Sequence, residues 1–116
     1  MFKVIVAGGR DFADYDLLKS KLDNLLVNRD PVEIVSGTAR GADKLGEFYA
    51  KRSQLAVALF PADWDLYGKS AGYKRNAQMA DYADALVAFW DSKSRGTMHM
   101  INLAKSAGLQ VRVVNY

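Results

Sequence analysis

The sequence predicts an α/β domain: a five-stranded parallel sheet in strand order 3-2-1-4-5, with helices on both faces. Three observations carry this expectation. Five short apolar runs recur along the chain, and apolar residues at helical spacing fill most of the stretches between them. Most of the runs are nearly continuous in apolar residues, which marks strands covered on both faces. Strict alternation of strand and helix favours parallel pairing through right-handed crossovers.

The strands are read in order as "FKVIVA" (Phe2 to Ala7), "VEIVS" (Val32 to Ser36), "VALF" (Val57 to Phe60), "ALVAFW" (Ala85 to Trp90) and "VRVVNY" (Val111 to Tyr116). Tyr15, Leu18, Leu22 and Leu25 form the first helical stripe, and Leu45, Phe48, Tyr49 and Arg52 the second. Tyr73, Ala77, Met79 and Ala80 mark a third. Met100, Ile101, Ala104 and Ala107 mark a fourth, closed by Gly108 as a C-terminal cap. "PADWDLYGKS", Pro61 to Ser70, is the longest irregular piece, too polar and too interrupted by Gly and Pro to be helical throughout. Loops of that length in compact domains are often functional.

The chain has 116 residues, enough for one domain spanning 1–116. Half of them are hydrophobic and a quarter charged, the balance of a soluble globular protein. No apolar run approaches the roughly 20 residues of a membrane span. The opening "MFKVIVAGG" reads as a first strand and not as a signal peptide, so a cytoplasmic location and no membrane partner are expected. Without cysteine there is no disulfide framework and no thiolate metal site, and His99 is the only histidine, so no metal is expected. The net charge of +3 is spread over interspersed acids and bases, which suits a small anionic ligand better than nucleic acid.

In an open α/β sheet, ligands bind beyond the carboxyl ends of the strands, where strand order reverses. With order 3-2-1-4-5 that crevice lies between strands one and four. The loops beside it hold most of the chain's candidate chemistry. In "GGRDF", Gly8 and Gly9 would let a phosphate approach backbone N–H groups, Arg10 would add a bidentate contact, and Asp11 would accept from a ribose hydroxyl or orient Arg10. A plain strand-to-helix turn explains the same glycines. "SGTARGAD" supplies Ser36, Gly37, Thr38, Arg40 and Gly41, with Asp43 just inside a helix as a ligand group or a structural acid of the first turn. In "DSKSRGTMHM", Asp91 precedes Ser94, Gly96 and Thr97, which open the last helix either as a phosphate cradle or as ordinary caps. Arg75 and Asn76 stand early in the third helix, within reach of the crevice or on a solvated surface. Trp64 and Tyr67 are rings for stacking on a base, for a lid or for a subunit contact; His99 is read as structural or surface. Neither the dinucleotide fingerprint nor the Walker A pattern is present, so no ATPase and no cofactor are expected.

Taken together, "VAGGRDF", "SGTARGAD" and "YKRNAQMADYADALVAFWDSKSRGT" resemble the small SLOG-type proteins related to YpsA, in the superfamily of Lonely Guy and DprA proteins, some of them phage-encoded. The resemblance implies a Rossmann-like sheet, a nucleotide-type ligand and a homodimer. The dimer is also suggested by large apolar helix residues such as Phe48, Tyr49, Tyr73 and Met79, with Trp64 or Tyr67 near the seam. Lonely Guy enzymes cleave the N-glycosidic bond of nucleoside 5′-monophosphates, and their signature is an early-helix arginine followed by Pro-Gly-Gly-x-Gly-Thr-x-x-Glu. Arg75 falls at the arginine, and Gly96 and Thr97 at the Gly-Thr pair. "DSKS" replaces the Pro-Gly-Gly, and Met100 stands at the glutamate. Glycoside cleavage needs a carboxylate that methionine does not supply. The expectation is therefore a binder of a nucleotide or an ADP-ribose- or NAD-derived molecule, acting as sensor or sequestering protein, with no assigned catalytic residue. The alternative is a phosphoribohydrolase using Asp11, Asp43 or Asp91; a nucleic-acid or protein-interaction module is the least favoured.

Overall fold

The computed structural model describes all residues, 1–116. Strands β1 (Phe2–Gly8), β2 (Val32–Ser36), β3 (Ala56–Leu59), β4 (Ala85–Trp90) and β5 (Gln110–Asn115) form one sheet, order β3-β2-β1-β4-β5, every pair parallel. The longer helices are α1 (Tyr15–Leu26), α2 (Ala42–Arg52), α4 (Ala71–Tyr82) and α5 (Arg95–Ser106); α3 (Trp64–Tyr67) is a single turn. The expected fold, strand order and sequence of elements are all present.

Side chains along β1 alternate between two cores. Val4 and Val6 point into a cluster with Leu18 and Leu22 of α1, Tyr49 and Ala50 of α2, and Phe89. Ile5 and Ala7 point into a second cluster with Met79 and Ala80 of α4 and Met100, Ile101 and Ala104 of α5. The sheet is thus the middle of three layers. This explains why the central strands read as unbroken apolar runs, since both of their faces are buried. The edge strand β3 differs: Val57 and Leu59 are exposed.

Local chemistry sets the helix starts. Asp14 caps α1, its carboxylate accepting from the Leu17 N–H at 3.0 Å. Ser94 caps α5 by accepting from the Thr97 N–H. α2 instead starts at Gly41, whose φ of +79° is open to glycine at little cost. A Cβ there would collide with the Gly9 carbonyl and lie 2.7 Å from the Arg10 carbonyl carbon. That crowding brings the first residues of α2 against the end of β1, and the Ala42 N–H donates to Gly9 O at 3.2 Å.

The segment Pro61 to Ser70 is more ordered than its composition suggests. Asp63 caps the α3 turn by accepting from the Leu66 N–H. Gly68, at φ +56°, breaks the helix, and a 3-10 turn (Gly68–Ser70) leads into α4. Of the large helix residues that suggested a dimer, Tyr49 and Met79 are buried within the chain, while Phe48 and Tyr73 are exposed. No helix is long and apolar enough to cross a membrane.

Candidate functional site

Strand order reverses between β1 and β4, and a cleft of about 260 Å³ opens above that reversal, at the carboxyl ends of the strands. Ala7 and Gly8 come to it from β1, Asp43 from α2, Arg75 and Asn76 from α4, and Ser94, Gly96 and Thr97 from the start of α5. Arg10 and Lys69 add positive charge, Trp64 and Tyr73 supply aromatic walls, and Met79 and Met100 line it as well. A second hollow of about 250 Å³ adjoins it, bounded by Gly37, Thr38, Arg40, Pro61 and Ala62. Arg10, Ala39, Trp64 and Arg75 border both.

Arg75 is fixed from two sides. Its guanidinium donates through Nη1 to the Gly37 carbonyl and through Nε to Asn76 Oδ1 at 3.0 Å. Asn76 is in turn buried, with Nδ2 3.4 Å from the Gly96 carbonyl and 3.2 Å from His99 Nδ1. The His99 ring also packs against Tyr73, tilted by 52° with ring centroids 4.4 Å apart. The chain's two salt bridges are Lys19–Asp23 and Lys44–Glu47, so no carboxylate is paired with Arg75, Arg10, Arg40 or Lys69. Burial pulls the Arg75 pKa below its usual value and the Arg10 charge acts in the same direction, while Asp43 opposes both.

Asp43 is the buried acid of the cleft. Its carboxylate accepts from the Ala39 N–H at 3.1 Å. Burial pushes its pKa up to about 6; the Ala39 hydrogen bond and the Arg75 charge act against that rise. Because the folded value lies above the ordinary 3.8, the folded state holds this proton more tightly than the unfolded chain. The associated stability is present below about pH 4 and is lost as pH rises through about 6, amounting to about 3 kcal/mol. Asp43→Asn is therefore expected to be more stable than the native chain at pH 7–8 by up to that amount, and similar to it near pH 4. Urea midpoints for both proteins across this range check it; a difference that does not change with pH would contradict the raised pKa.

The residues expected at the site divide into two groups. Gly8, Arg10, Arg75, Asn76, Ser94, Gly96 and Thr97 line the main cleft, and Gly37, Thr38 and Arg40 line the adjoining hollow. Gly9, Asp11, Ser36, Gly41 and Asp91 line neither. Gly9 lies under the Tyr116 hydroxyl, and Asp11 accepts from that hydroxyl at 2.8 Å. Ser36 is fully buried, donating to Glu47 Oε2 at 2.6 Å and accepting from the Thr38 N–H at 3.0 Å. Asp91 accepts from the Lys93 and Ser94 N–H groups, each at 2.8 Å, and these bonds hold its pKa below the ordinary carboxylate value. These side chains build the loops. Gly37 makes room for Arg75: a Cβ there would lie 2.7 Å from Nη1 and 2.9 Å from the Asp43 carboxylate.

The sequence does not point to Lys69 or Tyr73 as site residues. Lys69 sits in an ordinary polar turn, and Tyr73 reads as part of a helical stripe and of a dimer contact; the turn leading into α4 brings both to the cleft.

A parallel sheet with a cationic cleft at its switch point defines a Rossmann-like α/β domain. The chain belongs to the YspA, cpYpsA-related SLOG family, whose pattern its residues 2–67 match. It is 34% identical over 119 residues to the gene 61 protein of Mycobacterium phage D29, covering 96% of this chain and 94% of that one. DNA processing protein A (DprA) from Streptococcus pneumoniae has a similar fold, with a TM-score of 0.77 at 19% identity. That match covers 97% of this chain and 50% of the DprA chain, so the present fold corresponds to half of that protein.

Proposed function

We propose that this protein binds a phosphorylated nucleotide-type molecule, a nucleotide or an ADP-ribose- or NAD-derived compound, and acts as a sensor or sequestering protein without turning it over. The observation that carries this reading is Arg75: partly buried, held by Gly37 and Asn76, bordering the cleft and paired with no carboxylate. A guanidinium so placed is suited to bidentate recognition of phosphate. Arg10 and Lys69 add charge on the same cleft, and Trp64 and Tyr73 offer faces for a base. Met100 is 1% exposed and takes its place among apolar neighbours, so it provides no carboxylate for an oxocarbenium-like state.

A second reading rests on Asp43. A cleft carboxyl with a pKa of about 6 has the profile of a general acid or base at neutral pH, which favours an N-glycosidic phosphoribohydrolase. DNA processing, the role in the DprA name, would require a longer cationic track than two hollows of this size.

Incubation with the common nucleoside monophosphates and ADP-ribose, followed by calorimetry and chromatography, separates these readings. Saturable binding with recovery of intact ligand is expected. Free base released over many turnovers, and lost in both Asp43→Asn and Arg75→Ala, would replace the binder with the hydrolase.

A further inference from the structure

The two hollows differ in chemistry. The main cleft has aromatic and apolar walls suited to a nucleoside: Trp64, Tyr73, Met79 and Met100. The adjoining hollow contains no carboxylate and three arginines, Arg10, Arg40 and Arg75. None of the three has an ion-pair partner elsewhere in the chain. The Asp43 carboxylate, on the main-cleft side, favours the charged form of Arg75, whereas the Arg10 charge acts against it; none of the arginines' charge is matched by an acid within the hollow itself. The loop bounding this hollow also holds a costly conformation: Thr38, a β-branched residue, sits at φ +67° with its N–H tied to Ser36. Each hollow alone is smaller than the roughly 300 Å³ at which ligand pockets begin, and together they pass that size.

We propose that the second hollow is a phosphoryl subsite, so that the preferred ligand is a nucleotide carrying at least two linked phosphoryl groups. Its nucleoside lies in the main cleft, and its phosphate chain passes Arg10 and Arg75 to end against Arg40. Trp64, bordering both hollows, marks where the nucleoside half gives way to the phosphate chain. This inference rests on the function proposed above and adds to it the length of the phosphate chain.

The test compares affinities of adenosine, guanosine, cytidine and uridine mono- and diphosphates by calorimetry, with a ten-nucleotide single-stranded DNA alongside. At least one diphosphate is expected to bind about tenfold or more tightly than its monophosphate, the scale of one added charge-assisted contact. Arg40→Ala should cost that diphosphate about tenfold more than it costs the monophosphate, and Arg40→Lys should restore part of the preference. Arg40 is exposed, and an unchanged melting temperature shows that the variants fold. Equal affinity for mono- and diphosphate, or a preference that survives Arg40→Ala, would overturn the subsite while leaving nucleotide binding intact. Binding of none of the eight would overturn the subsite, and failure of ADP-ribose to bind as well would remove the proposed function with it. DNA binding tighter than any diphosphate would overturn the subsite in favour of a nucleic-acid track.

Discussion

Arg75→Ala is expected to weaken a phosphorylated ligand about 10- to 150-fold, and its dephosphorylated form far less. The range follows from the roughly 1.5–3 kcal/mol of a hydrogen bond to a charged group in a partly buried site. Arg75→Lys should not rescue the loss. The native geometry uses the guanidinium fork, with Nη1 on the Gly37 carbonyl and Nε on Asn76, and an ammonium cannot make both bonds while still directing an N–H edge at phosphate. Titration of paired ligands that differ only in the phosphate gives the result directly. Equal loss for both members of a pair would mean that the arginine shapes the cleft without reading charge.

The second large effect falls on stability, at Gly46. This residue lies on α2 where the helix crosses β1, and a Cβ there would sit 2.8 Å from the Val6 Cβ and 2.9 Å from its Cγ1. Helix propensity alone would make Gly→Ala favourable by about 1 kcal/mol. Here the contact decides the sign, because Val6 is fully buried and has nowhere to move. Gly46→Val should cost about 1–3 kcal/mol or more through overpacking, a fall in melting temperature on the order of 5–15 °C. Gly96→Ala is the contrasting case: it lies in the first turn of α5 with nothing within 4 Å of its Cβ position, and its melting temperature should hold or rise. A Gly46→Val protein as stable as the native chain would show that α2 can lift from the sheet without loss.

What could be read in the sequence, and what could not, follows from the range of the interactions. Strand order and the position of the switch point were legible because they depend on periodicity and on the alternation of elements. So were the loops after β1, β2 and β4, which the topology places at one end of the sheet. The roles of individual polar residues were not, since their partners are remote in the chain. Asp11 is bonded to Tyr116, 105 positions away, and Arg75 to Gly37, 38 positions away. Ser36 and Gly37 are neighbours in the same loop, yet one is fully buried against Glu47 and the other borders a cavity. Nothing in "SG" separates these fates. Asp43 shows the same limit: a first-turn acid is commonplace in a helix, and its raised pKa comes from burial that only the packed structure reveals.

The alternation along β1 has a consequence for how the domain responds to an occupant. The loops that carry Arg10 and Arg40 lead into α1 and α2, which belong to one core, whereas Arg75 and the Ser94–Thr97 turn belong to helices of the other. The cleft mouth therefore straddles two separately packed layers that lie on opposite faces of the sheet, and the Arg75 bond to Gly37 is a stitch between them. A molecule gripping both rims adds further stitches at the place where the layers are least joined. Under the proposed function its effect would be to make the two layers open together instead of separately, so that an event in the cleft is felt as cooperativity across the whole domain.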